Sequence, residues 1–250
     1  MRIKSLLMTL IGLVIFSVAS AEETQKPRIF IAGDSTAQTY DPEKTPMRGW
    51  GQYLAEFLTD GIEVDNRAIG GRSTASFIRE NRWEKLVEDL RPGDWVLIQF
   101  GHNDTSKNPE RHAEPDEYKN NLINFTKEAR EKGANPVILT SIVIRTFNDE
   151  GELVSEREHF NEYVQIARDA AAEAEVPMID VNKLTHALVQ ELGDEKTKEL
   201  YFWIKGGDHP RINEDTKDDT HLQEKGARCY AQIIANEIKE NIDGLKDYVK

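Results

Sequence analysis

Cysteine is nearly absent from this 250-residue chain: Cys229 stands alone, so no disulfide can form within the chain and no cysteine-based zinc site can be built. Positive charge is also scarce. Lys+Arg 32 against Asp+Glu 45 leaves a formal net charge of -13, which excludes the broad cationic coat that nucleic acid or an anionic membrane demands. Local basic patches stay compatible with that total. The sequence carries no internal repeat, no low-complexity tract and no Pro/Gly/Ser-rich linker, so residues 22–250 are expected to form a single domain. Only one long apolar run exists, Leu6 through Val18. Arg2 and Lys4 precede it and Val18-Ala19-Ser20-Ala21 closes it, which is the pattern of a secretory signal peptide cut after Ala21. The run is short for a spanning helix of about 20 residues. Residues 1–21 are therefore expected to be removed, taking the net charge to -15 and placing the protein in the periplasm or outside the cell, with no stable membrane insertion.

What is present is an alternation of short apolar runs and helical patterns. Strands are expected at 28–33 (RIFIAG), 62–68, 94–100 (DWVLIQF), 136–141 (PVILTS) and 176–181 (VPMIDV). Helices are expected at 49–58, 116–132, 157–174 and from about 222 to 240. Apolar strands separated by helices indicate an α/β fold with a parallel sheet covered on both faces.

In such sheets, ligands bind beyond the carboxyl ends of the strands. Polar clusters fall there: Gly33-Asp34-Ser35-Thr36, Gly70-Gly71-Arg72-Ser73, Gly101-His102-Asn103-Asp104 and, ahead of the last helix, Asp218-Asp219-Thr220-His221. A serine on a Gly-flanked turn after a buried strand is exposed to substrate, but its hydroxyl needs a base to become a nucleophile. Taken alone, Gly-Asp-Ser reads better as a plain helix cap than as a nucleophile turn. Of six histidines, His159 and His186 lie in helical patterns, His112 in a polar loop, and His209 in a Gly/Pro-rich loop. His221 has Asp218 three residues before it, a spacing that lets the carboxylate orient the imidazole. Backbone N–H groups of Ser35 and Gly71 and the Asn103 amide are candidate oxyanion donors, although each also reads as ordinary turn chemistry.

Taken in order, these blocks resemble the SGNH (GDSL-type) hydrolase superfamily, and in detail (IAGDST, with Thr36 in place of Leu; GGRSTASF; FGHND; DDTH) its rhamnogalacturonan acetylesterases. The resemblance spans nearly the whole chain after residue 21. It implies a three-layer α/β/α sandwich with a five-stranded parallel sheet of flavodoxin-like order. It also implies Ser35 as nucleophile, His221 as base, Asp218 as its orienter, and Ser35, Gly71 and Asn103 as the oxyanion hole, with no metal and no organic cofactor. The implied activity is removal of O-acetyl groups from pectic rhamnogalacturonan, an acetylated polysaccharide or oligosaccharide. Arg72 is a candidate for holding a galacturonate carboxylate, as are Lys107, Arg145 and Arg211, while Trp203 is a candidate for stacking on sugar. A standard α/β-hydrolase elbow, Gly-x-Ser-x-Gly, is excluded by Ala37 in the last position. Two other readings stay open: an acetylesterase for another glycan such as acetylxylan, and a carbohydrate-binding protein without turnover.

Overall fold

The strand β1 (Arg28–Gly33) is buried from its second residue onward, and alternate side chains feed opposite cores, as the twofold period of a strand requires. Ile29 and Ile31 face one core and Phe30 and Ala32 the other. The computed structural model describes residues 25–250 except 155, 156 and 158; the leader expected at 1–21 lies outside the described residues. Parallel pairing joins β1 to β2 (Glu63–Asn66) on one side and to β3 (Trp95–Gln99) on the other. The sheet continues through β4 (Asn135–Leu139) to β5 (Met178–Ile179), giving the order β2-β1-β3-β4-β5. This is the expected five-stranded parallel sheet of flavodoxin-like order.

One face is covered by α1 (Thr74–Arg79), α2 (Arg82–Asp89), α3 (Pro115–Glu131) and α4 (Phe160–Glu173). Phe77, Trp83, Leu122, Phe125 and Ala167 pack there on Phe30, Val96 and Ile98. Against the other face lie α5 (Val181–Thr197) and α6 (Glu224–Asn241), whose Val189, Tyr230, Ile234 and Ile238 meet Ile31, Leu97 and Leu139. Each such large side chain removed from water contributes about 2 kcal/mol. Outside the main sheet, β6 (Tyr201–Ile204) and β7 (Thr216–Leu222) form a separate antiparallel pair.

Several elements differ from the sequence expectation. The helix expected at 49–58 is two short 3-10 helices, Trp50–Gln52 and Leu54–Phe57. Here Gly49 and Gly51 press against the backbone of Ala37 and Gln38, where any Cβ would stand 2.4–2.6 Å from a main-chain atom. That contact fixes the segment against the turn after β1 and leaves no room for a regular α-helix. The last parallel strand has only two residues because Asp180 already caps α5, accepting from the Lys183 N–H. Helices α1, α2 and α5 and the β6–β7 pair were not expected.

Candidate active site

The chain leaves β1 for β2 on one side of the sheet and returns to β3 on the other, so the ends of β1 and β3 border the point where strand order reverses. Ligands gather at such a point. At the end of β1, Asp34 Oδ1 accepts from both the Thr36 N–H and the Thr36 hydroxyl, each at 2.8 Å. The amides of Ala37 and Gln38 donate back to the Asp34 carbonyl at 3.2 and 3.1 Å. Asp34, rather than Ser35 or Thr36, therefore performs the capping that a helix-start reading would assign to the serine. The Ser35 hydroxyl is left to other work and donates to His221 Nε2 at 2.9 Å.

His221 reaches the serine from β7. Its Nδ1–H donates to Asp218 Oδ2 at 2.6 Å, while Asp218 Oδ1 accepts from the N–H groups of Thr220 (2.8 Å) and His221 (2.9 Å). Burial pushes the Asp218 carboxyl up. The His221 side chain and the His221 and Thr220 amides outweigh burial together and hold it at about 2. The carboxylate is thus ionised across neutral pH and fixes the imidazole with Nε2 free to accept. Asp218–His221 is an extended segment of β7, and the i,i+3 contact is made by Asp218 folding back on its own backbone.

After β2 the N–H of Gly70 is taken by the Gln38 side chain, which leaves Gly71 as the glycine of the pair with an uncommitted amide. Gly71 has φ of 77°, and a Cβ there would meet the Arg111 guanidinium at 3.3 Å. No partner for the Ser35 or Gly71 N–H occurs among the described residues. Asn103, after β3, donates one amide proton to the Arg72 carbonyl at 3.2 Å, which sets its orientation and leaves its second proton available. Beneath these groups Gln99 accepts from Trp50 Nε1 (2.7 Å) and donates to the Thr140 carbonyl (3.0 Å), a dry support for the serine turn.

Ser35, Asn103, Asp218 and His221 line one open cleft of about 1000 Å³. Of the five expected substrate contacts, Arg72, Arg145, Arg211 and Trp203 do not. Arg72 pairs with Glu80 at 3.1 Å and donates to the Gly70 carbonyl at 2.9 Å, so its guanidinium braces the glycine turn. Trp203 lies in β6 rather than in a loop; its Nε1–H donates to Asp219 at 2.9 Å and its ring carries the Arg145 guanidinium at 4.7 Å. Arg145 itself is buried between Asp219, Asp194 and Thr197. Lys107 does line the cleft, whereas Arg211 belongs to the long β6–β7 connection. His159, expected on a helical face, and His112 also line the cleft.

The sequence reading gives no place in the site to Arg111 or Arg157 and no role to His102, and all three stand on the cleft wall. Arg157 was placed inside a helix; the helix begins at Phe160, three residues later, which frees Arg157 to reach inward. Its Nη1 donates to the His102 carbonyl at 3.0 Å and lies 3.3 Å from His102 Nδ1. Its Nη2 donates to the Thr220 hydroxyl at 3.3 Å. Burial first, and the Arg157 charge second, hold His102 well below the usual imidazole range; it stays neutral and stacks on Phe160.

A model of the GDSL-like lipase/acylhydrolase family matches residues 31–229, most of the chain. The chain belongs to that family. Two curated relatives from Bacillus subtilis (strain 168) are similar over most of their length. The rhamnogalacturonan acetylesterase RhgT is 38% identical over 90% of this chain and 95% of its own. The protein named as probable rhamnogalacturonan acetylesterase YesY is 41% identical over 85% and 92%. Among solved structures, protein YxiM of Bacillus subtilis superposes with a TM-score of 0.74 at 28% identity, covering 88% of this chain. The GDSL-family chain spans 58% of YxiM.

Proposed function

We propose that this GDSL-family chain is a carbohydrate acetylesterase acting on acetylated rhamnogalacturonan through an acyl-enzyme on Ser35. The observation that carries the reading is the continuous relay Asp218–His221–Ser35, with links of 2.6 and 2.9 Å, at the floor of an open cleft. The similarity to RhgT and YesY over nearly their full lengths supports the choice of substrate.

His221 Nε2 takes the Ser35 proton as Oγ bonds to the acetyl carbonyl carbon. The carbonyl oxygen becomes an oxyanion, met by the amides of Ser35 and Gly71 and by the free Asn103 proton. The tetrahedral centre collapses by breaking its bond to the sugar oxygen, which leaves with the proton held on His221. Water then loses a proton to His221 and adds to the acetyl-serine. Release of acetate returns the proton to Ser35. Asp218, ionised throughout, stabilises the imidazolium formed in each half. The basic-apolar-small pattern of residues 1–21 supports a role outside the cytoplasm, in breakdown of pectin.

Acetate release from acetylated rhamnogalacturonan, with acetylated xylan alongside, tests this on the chain and on Ser35→Ala. Release from the pectic polymer that disappears in the variant is expected. Release from xylan alone moves the substrate and keeps the mechanism. Absence of Ser35-dependent hydrolysis of either polymer and of a small activated acetyl ester leaves a carbohydrate-binding role.

A further inference from the structure

The described lining of the cleft is richer in cations than the acidic protein around it. Acidic residues outnumber basic ones 45 to 32 over the chain, yet the described cleft lining holds Lys107, Arg111 and Arg157 against one carboxylate. That carboxylate, Asp218, is already committed to His221 and two backbone amides. Two of the cations are placed to act. The Arg111 guanidinium lies over Gly71, next to the candidate oxyanion donors, and Arg157 stands on the Thr220 side of His221, half-buried. Among the described residues neither guanidinium is ion-paired with a carboxylate; Arg157 donates only to neutral groups of His102 and Thr220. Burial disfavours the Arg157 charge, and the charges of Asp34 and Asp218, neither of which it contacts, offset only part of that cost; an incoming anion in direct contact would relieve the rest. Guanidinium matches a carboxylate through paired, charge-assisted hydrogen bonds.

Resting on the esterase reading above, we propose that Arg111 and Arg157 are specificity residues that bind the carboxylate of a uronic acid at or beside the acetylated sugar. The acetyl group enters between them at Ser35, and the carboxylate fixes which hydroxyl's ester reaches the serine. A neutral glycan offers no partner to either cation and binds with the guanidinium groups still unpaired. This assigns to Arg111 and Arg157 the role that Arg72, tied to Glu80, does not fill.

The test uses one acetylated oligosaccharide containing galacturonate and its carboxyl-reduced counterpart, in which each uronate is a neutral sugar. The readout is the ratio of kcat/KM for the acidic to the neutral form, measured on the protein, Arg111→Gln, Arg157→Gln and the two lysine variants. A ratio taken on one preparation cancels the fraction of active enzyme, so a variant that is partly unfolded still reports. The unmodified protein is expected to prefer the acidic form by about tenfold or more, the scale of a charge-assisted contact, with the preference expressed in KM and shrinking as salt is raised. Each Gln variant is expected to lower the ratio several-fold, and lysine to restore part of it. An equal rate on both forms in the unmodified protein overturns the inference while leaving the esterase reading intact. So does a Gln variant that slows both forms alike, since that is the signature of Arg157 merely bracing Thr220 and His102. If neither form yields Ser35-dependent acetate, both readings fall.

Discussion

The parallel sheet and the β6–β7 pair each supply half of the site, and they hold it by different physics. Ser35, Gly71 and Asn103 stand within two to five residues of the ends of β1, β2 and β3, so their positions follow largely from strand pairing and from two apolar cores. Asp218 and His221 stand on a two-stranded ribbon that has no place in that sheet. An isolated pair of strands is marginal in water; this one sinks Tyr201 and Leu222 into the core on the α6 side, and the stretch that carries Asp218 and His221 is tied down by polar anchors. Arg145 donates to Asp219, Asp194 and Thr197, the Arg145 amide donates to the Asp219 carbonyl, and Gln223 donates to the Tyr201 carbonyl at 2.7 Å. Nucleophile and oxyanion donors thus sit on the rigid half and the base on the tethered half.

The difference is sharpest in variants that remove chemistry from one half only. Ser35→Ala is expected to lower kcat by about a millionfold, the scale seen when a nucleophile is lost from a triad that acts as a unit, with the melting temperature nearly unchanged. Steady-state hydrolysis of an acetyl ester, beside a thermal melt, checks both halves of the statement. Asp218→Asn is expected to cost about 10⁴-fold in kcat, because an amide at 2.6 Å from Nδ1 favours the wrong imidazole tautomer. The carboxyl is held at about 2 in the fold, below its ordinary 3.8. A depressed acid stabilises the fold above its unfolded pKa and loses that contribution as pH falls through about 2, so acid unfolding of the Asn variant is expected to start from a lower plateau and flatten between pH 4 and 2.

Legibility in the sequence divides along the same line. β1, β3 and β4 are continuous apolar runs bounded by Gly or Pro, and that signal is local, so the sheet and the turn residues at its ends could be read directly. The ribbon strand β7 is Thr-Lys-Asp-Asp-Thr-His-Leu, with one apolar residue. Little in its composition reads as a strand, because apart from Leu222, which enters the core, its placement comes from Arg145, 71 or more residues upstream, and from pairing with β6. Asp218 and His221 could still be found through their spacing, which is chemistry rather than structure. Arg72 and Trp203 show the converse failure. An exposed-looking cation and aromatic beside functional motifs read as ligand contacts, and only the fold reveals Glu80 and Asp219 as the groups that occupy them. Arg157 was hidden by a helix boundary, three residues off.

Arg145→Met tests whether the ribbon depends on its anchor. Removing a buried guanidinium with several hydrogen bonds is expected to cost about 3 kcal/mol, discounted from a fully buried pair because Asp194 and Asp219 are open to water once released. Denaturant unfolding measures that cost. Activity of the folded fraction is expected to fall further, since Asp219 adjoins Asp218. Unchanged activity in folded protein would mean that β6 alone positions the base, and the contrast between the two halves would lose its basis.

The effect furthest from the reacting atoms lies under the rigid half. Asp104 is fully buried, accepting from the Thr74 N–H (2.9 Å) and hydroxyl (2.6 Å) through Oδ1, while Oδ2 has no partner. Burial drives its carboxyl up to about 7, and Thr74 offsets only part of that. A raised acid binds its proton in the fold at pH values where the unfolded chain has lost it, so its contribution to stability declines as pH rises from about 4 to 7 and is level above. In Asp104→Asn that decline is absent. The stability of the unmodified protein relative to the Asn variant is therefore expected to fall between pH 4 and 7, read as urea midpoints at matched ionic strength. A difference that stays constant over this range would show Asp104 ionised throughout. The segment that runs from Gly71 into α1 at Thr74 would then rest on a buried charge, and the half of the site that packing holds would depend on electrostatics as much as the ribbon does.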